Sequence, residues 1–227
     1  MIGIIALPKR NDKGSVYPKN YVDWIESSGA DAIVIPYDLP KRQLMHCLTQ
    51  LDGIIWTGGG IESSDYSHKQ YSTYMKSLVA CFETAKSYND AGRYYPIFGI
   101  CLGFEILVLF SKKIDVNHAF DHMKPHFRES RDCIVLKDSR IRDWFLPLEK
   151  KMAVLPCATH HHKFGFDIKP IRGITIVSTD KDFVNMIEYK KYPFYGVQFH
   201  PERPFDAFSK KVSLHFSLFL KHECEKN

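Results

Sequence analysis

Five residues, Gly99-Ile100-Cys101-Leu102-Gly103, set a lone cysteine between two glycines, where one apolar run (PIFGI) passes into another (LGFEIL). A thiol that merely fills a core needs no glycine on either side. A nucleophile on a sharp strand-to-helix turn does, because the chain passes close to itself there. The pattern has the form of a nucleophile elbow, with cysteine in the place of serine. Such a turn lifts the Cys101 Sγ above a sheet, at the N-terminus of a helix beginning near Leu102. Unpaired N–H groups and the helix dipole favour the thiolate, the reactive form. The Leu102 N–H is also placed to point at a developing oxyanion.

A cysteine nucleophile needs a base, and GVQFHPE at 196–202 supplies one. His200 and Glu202 are two residues apart, so in extended chain both side chains leave the same face. Pro201 biases His200 toward that extended geometry. Glu202 can then hold the imidazole as the third member of a triad. Thr57-Gly58-Gly59-Gly60, directly after an apolar run, is either a plain strand-end turn or a backbone donor aimed at the oxyanion. Glu105 lies one helical turn beyond Cys101, on the same face. It is either a first-turn acid favoured by the dipole or a carboxylate that receives a substrate ammonium.

His160-His161-His162 invites a zinc reading. Adjacent histidines converge poorly on one tetrahedral centre, and no second ligand cluster is evident, so no metal site is expected. His118, His122 and His126 recur every four residues, but Pro125 interrupts any helix that would align them; they are read as surface. Cys47, Cys81, Cys133, Cys157 and Cys224 are read as structural thiols.

These residues require a scaffold that brings the turns after positions 56, 100 and 199 to one edge. Runs 2–7, 32–36, 52–56 and 95–100 read as buried strands. Between them, 18–28, 41–51 and 68–91 read as helices. The first has Pro18 near its opening turn and Gly29 at its stop. The last has the cleanest helical period, through Tyr71, Tyr74, Met75, Leu78, Phe82 and Ala85. This alternation implies a mostly parallel sheet with helices on both faces. Later runs, 133–137, 175–178, 184–189 and 195–199, read as strands close enough together to include antiparallel pairs. A closing helix is expected over 206–221. In such sheets the active site lies off the carboxyl ends of the strands, where the three turns fall.

The chain has 227 residues, 44% hydrophobic and 25% charged, which fits one soluble domain over 1–227 and excludes a disordered class. Its net charge of +5 is spread over scattered lysine pairs, without the basic stripe of a nucleic-acid binder. MIGIIALPKR lacks the basic start and long apolar core of a signal peptide, and no run approaches the ~20 apolar residues of a membrane span. Six cysteines without a secretory signal read as free thiols. The expectation is a soluble, cytoplasmic protein with neither nucleic acid nor membrane as partner.

TGGG, GICLG and GVQFHPE, in this order and spacing, resemble class I glutamine amidotransferase-like hydrolases. Within that superfamily the chain is most similar to the γ-glutamyl hydrolase family (peptidase C26 type). YPIFGICLGFEIL at 95–107, HHKFGF at 161–166, YKKYPFYGVQFHPE at 189–202 and NYVDWIESSGA at 20–30 carry the likeness. It implies a flavodoxin-like three-layer α/β/α fold. It also implies Cys101 as nucleophile, His200 as general acid/base, Glu202 as its orienter, and the Gly59 and Leu102 N–H groups as oxyanion hole. Gly60, Glu105, His162 and Tyr17 are the substrate-binding residues it implies. Ammonia-supplying amidotransferases usually carry glutamine at the place of Glu105, whereas γ-glutamyl hydrolases carry glutamate. The expected reaction is cleavage of a γ-glutamyl amide bond, in folyl-poly-γ-glutamate or another small γ-glutamyl conjugate, through a Cys101 thioester. No cofactor is expected, and a homodimer is the one self-assembly allowed for. The alternatives are a glutaminase subunit supplying ammonia to a synthetase partner, and a catalytically silent binding protein on the same fold, for which loss of the triad would have been the signature.

Overall fold

Short runs of branched and aromatic residues build the middle of a sheet: β1 (Ile2–Ile5), β3 (Gly53–Trp56), β4 (Ile97–Ile100) and β9 (Phe194–Val197), each buried along its whole length. Burial on both faces is what parallel strands covered by helices on each side require. The computed structural model describes residues 1–9, 14–60, 69–115, 118–135, 137–145 and 154–226. With β2 (Ala32–Ile35), β7 (Ile174–Asp180) and β8 (Phe183–Tyr189), these strands form a seven-stranded sheet in the order β2-β1-β3-β4-β9-β8-β7. The first five are parallel; β8 runs antiparallel to β9, and β7 antiparallel to β8. The leading order is that of flavodoxin-like sheets.

Alternate residues of the strands serve two cores. Ile54, Trp56 and Ile97 face α2 (Lys41–Thr49), α3 (Lys69–Asp90) and α4 (Leu102–Ser111). Ile55, Phe98 and Ile100 face α1 (Lys19–Glu26), α6 (Arg140–Phe145) and α7 (Ala207–Cys224). The result is a three-layer α/β/α sandwich, as the resemblance implied. Asp206 opens α7 with a reciprocal cap: its carboxylate accepts from the Ser209 N–H while its own N–H donates to Ser209 Oγ, an arrangement that satisfies two orphan donors. The Trp24 indole N–H donates to the Ser213 carbonyl at 2.8 Å and ties α1 to α7. Among the described residues no helix is long and apolar enough to cross a membrane.

In the second half the strands expected at 175–178, 184–189 and 195–199 are β7, β8 and β9, with the antiparallel pairs expected among them, and one expectation differs. A strand was expected at 133–137. Instead β5 (Lys124–Val135), which follows the short α5 (Ala119–His122), pairs antiparallel with β6 (Val154–Gly165) in a separate two-stranded sheet. KPHFRES and HHHK lack apolar alternation because the hairpin is a flap over the main sheet, not a member of it. His118 and His122 are exposed, but His126 is not a surface residue: its ring stacks on Phe183 with centroids 3.7 Å apart. Among the described cysteines, Cys47, Cys81, Cys101 and Cys224 are free thiols; the side chains of Cys133 and Cys157 lie outside the described residues.

Candidate active site

Strand register brings three turns to one level. Trp56 pairs with Gly99 and Ile100 with Val197, so the chain leaves β3, β4 and β9 side by side, at Thr57, Cys101 and Gln198. Cys101 sits between β4 and α4 with φ 52° and ψ −103°. Positive φ in a residue with a side chain costs about 1–3 kcal/mol and persists only where surroundings hold it. Here the Cys101 N–H donates to the Val197 carbonyl at 2.8 Å, and the Cys101 carbonyl accepts from the Glu105 N–H at 3.0 Å. Gly103 is obligatory, since a Cβ there would lie 2.3 Å from the Trp56 carbonyl oxygen. As the first residue of α4, Leu102 has an N–H with no intrahelical acceptor.

His200 and Glu202 are both buried, and Nδ1 lies 2.8 Å from Glu202 Oε1. Burial opposes a charge on this imidazole, but the hydrogen bonds and negative charges of Cys101 and Glu202 outweigh it and lift its pKa to about 10. The proton-bearing imidazolium is therefore the stable form of His200 at neutral pH. Arg203 Nε stands 3.5 Å from the same Glu202 oxygen.

The 57–60 turn closes the third side. Gly58 is pressed against the reacting groups: a Cβ there would lie 2.8 Å from His200 Cε1, 3.0 Å from Tyr21 Oη and 3.1 Å from Cys101 Cβ. Its N–H donates to Tyr21 Oη at 2.8 Å. Tyr21 is buried, and burial first, with the Glu202 charge second, holds its phenol protonated. Gly59 follows, packed on Leu7, and Gly60 faces open space.

Gly58, Gly59, Gly60, Cys101, Glu105 and His200 line one cleft of about 410 Å³, together with residues of the β5–β6 hairpin that include His162. Glu105 is half-buried at the cleft wall, where Oε1 accepts from Gln198 Nε2 at 3.0 Å. Burial pushes its carboxyl up to about 7, against the pull of Gln198 and the His200 charge. His162 is buried and neutral; burial, then the neighbouring His160, His126, His200 and Arg128, brings it down to about 3. Tyr17 is 65% exposed and lies outside the cleft lining. A larger hollow of about 720 Å³ between α2 and α3 contains no cysteine or histidine. Among the described residues no group of three or more His, Cys, Asp or Glu is arranged to hold a metal ion.

The structure thus places Gly59, Gly60, Cys101, Glu105, His162 and His200 on one cleft, with Glu202 behind His200 and Leu102 next to Cys101 in the chain, and leaves Tyr17 aside. Sequence reasoning missed Tyr21, which reads as one apolar helix position, and Gln198, which lies within the quoted GVQFHPE without a role. For Gln198 the spacing held a signal: two residues before His200, it shares that strand face. For Tyr21 there was none.

The chemistry available is thiolate attack with a buried proton carrier beside it. The Peptidase C26 family model matches residues 2–202. Over 259 residues the chain is 28% identical to gamma-glutamyl hydrolase 1 of Arabidopsis thaliana, covering 100% of this chain and 72% of that protein. It is 27% identical to gamma-glutamyl hydrolase of Homo sapiens (100% and 78% covered) and 27% to gamma-glutamyl hydrolase B of Dictyostelium discoideum (95% and 66%). Among solved structures, a putative GMP synthase subunit from Thermoplasma acidophilum superposes with TM-score 0.62 at 18% identity, covering 100% of this chain and 98% of that one. PurLQS from Thermotoga maritima gives 0.60 at 16%, covering 97% and 98%. At such identities the structural likeness speaks for the fold alone.

Proposed function

Because the chain belongs to the Peptidase C26 family of hydrolases, we propose that it cleaves γ-glutamyl amide bonds through a thioester on Cys101. The substrate is a folyl-poly-γ-glutamate or another small γ-glutamyl conjugate. The observation that carries the reading is a cysteine held at positive φ beside a buried His–Glu pair, in a cleft whose wall also presents a carboxylate one helical turn away.

The Cys101 thiolate attacks the γ-carbonyl carbon, and the oxyanion is received by the Gly59 and Leu102 N–H groups. The neighbouring Gly58 N–H is taken by Tyr21, so Tyr21 positions the turn. The imidazolium of His200 gives its Nε2 proton to the departing amine. The same nitrogen then takes a proton from water, whose oxygen attacks the thioester carbon and releases the glutamyl carboxylate and the thiolate. Glu202 keeps the ring oriented throughout. The α-ammonium of the γ-glutamyl group pairs with the Glu105 carboxylate, and Gly60 and His162 border the bound substrate.

The test is a product analysis with a γ-glutamyl dipeptide, a folate pentaglutamate and free glutamine side by side, with Cys101→Ala as control. Cys101-dependent release of amine from the γ-glutamyl compounds is expected. A glutaminase feeding a synthetase would use the same thiolate, so preference for free glutamine over both γ-glutamyl compounds would overturn the reading.

A further inference from the structure

Gln198 is buried behind the cleft rather than on its lining, yet it touches two residues that do line it. Its Nε2 donates to Glu105 Oε1 at 3.0 Å and lies 3.9 Å from Cys101 Sγ. An amide nitrogen carries two hydrogens, one for each neighbour. The other end of the amide is costly. Oε1 is buried with no hydrogen-bond partner among the described residues, and an orphaned acceptor lowers stability where an apolar side chain of the same shape would not. Packing therefore does not account for a glutamine here, whereas its N–H groups do.

The backbone fixes where that amide stands. Gln198 directly follows β9, and its own N–H donates to the Asn185 carbonyl of β8 at 2.9 Å. The Val197 carbonyl just before it accepts from the Cys101 N–H at 2.8 Å. Turning the amide over would set Oε1 against a carboxylate oxygen, acceptor to acceptor, so Glu105 dictates its orientation. Glu105 in turn needs a fixed partner, because a glutamate side chain has several rotatable bonds and its carboxylate could otherwise swing along the cleft wall. The reaction makes that position matter. The α-ammonium pairs with Glu105 while the scissile carbonyl meets Sγ, so the span between the two must match the acyl chain.

We infer that Gln198 is a positioning residue that fixes the span from the Glu105 carboxylate to the Cys101 sulfur, and thereby selects acyl groups of γ-glutamyl length over shorter ones. The assignment rests on the γ-glutamyl reading of the cleft. The same hydrogen bond favours the ionised carboxylate and opposes the burial that raises Glu105. The titratable and charged groups on the cleft around it are Cys101, His200 and Arg203, with His161, His162 and Lys163 from the hairpin. Of these, the His200 charge also favours ionisation of Glu105.

A γ-glutamyl and a β-aspartyl amide of the same amine, the second one methylene shorter, test the assignment. kcat/KM is measured for wild type and Gln198→Met, which keeps the length and loses both donors, over the pH range in which both proteins keep their circular dichroism spectrum. Wild type should prefer the γ-glutamyl compound. Gln198→Met should lower the γ-glutamyl-to-β-aspartyl ratio by about ten-fold, within the cost of a misplaced reacting group. Its acid limb for the γ-glutamyl compound should move to higher pH, because the carboxylate has lost a donor that favours its charged form. A side chain that only fills space would move neither reading, and a ratio within one variant cancels any difference in the folded fraction. A wild type without preference, an unchanged ratio or an unmoved limb would overturn the role of Gln198 alone. A wild type that turns over neither compound would sink the γ-glutamyl reading and this assignment with it.

Discussion

Replacing Glu105 by glutamine separates substrate binding from stability, because the two are expected to move in opposite directions. Burial lifts this carboxyl from 4.5 to about 7, a displacement worth roughly 3 kcal/mol against the ionised form. Glutamine keeps the shape, and its carbonyl can still accept from Gln198 Nε2, now 3.0 Å from Oε1. The folded-state value lies above the unfolded one, so the wild type loses stability as pH climbs from about 4.5 through about 7. Below that window the two proteins should melt together. Above it Glu105→Gln should be the more stable, by at most roughly 3 kcal/mol, at ~2–4 °C of Tm per kcal/mol for a chain of this size. Activity should go the other way. A charge-assisted pairing with the α-ammonium is worth ~1.5–3 kcal/mol, so kcat/KM for γ-glutamyl peptides should fall roughly ten- to a hundred-fold. The acid limb of the kcat/KM profile near pH 7 should vanish with it. Melting curves and kinetics at matched pH values read both effects. Unchanged kcat/KM with a lowered Tm would make Glu105 a helix-end acid and refute its place in the binding site.

Iodoacetamide should label Cys101 before the other described thiols, since burial lifts Cys81 to about 12 and raises Cys224 as well; peptide mapping that finds Cys47 faster than Cys101 would count against it. Gly58→Ala places a methyl 2.8 Å from His200 Cε1 and should cut kcat by about a hundred-fold with the circular dichroism spectrum unchanged; a wild-type kcat would show that the 57–60 turn can shift freely. Cys101→Ala removes one of the two groups that lift His200 to about 10, so the NMR titration of the His200 ring should fall to a lower pH in the variant. In the wild type the stability contributed by this charged ring is complete below about 6.5 and is lost as pH rises through about 10; identical titrations in the two proteins would contradict the pairing.

The catalytic grouping was legible because its signals are local. Gly-x-Cys-x-Gly needs only a strand, a turn and a helix in succession, and His200-x-Glu202 only an extended chain. The central strands were legible as apolar runs because both faces of the parallel sheet are buried. The hairpin was not: β5 contains Pro125 and a bulge, and its pairing with β6 is between polar segments that no period of two announces. Tyr21 illustrates a different limit. Its helical face follows from periodicity, but that its hydroxyl meets the Gly58 N–H depends on how α1 docks beside β3. Glu105 was legible as either a first-turn acid or a carboxylate for a substrate ammonium, and its raised carboxyl comes from burial in the cleft wall, against the hydrogen bond from Gln198, which no local pattern announces.

The claim that everything else rests on is the covalent one. A γ-glutamyl peptide mixed with the enzyme and quenched in acid within the first turnovers gives a population whose intact mass and peptide map can be read. The account predicts an added glutamyl group on the peptide that contains Cys101, absent from Cys101→Ala, which should also lack turnover. A glutamyl adduct on another residue, or wild-type turnover by Cys101→Ala, would contradict it.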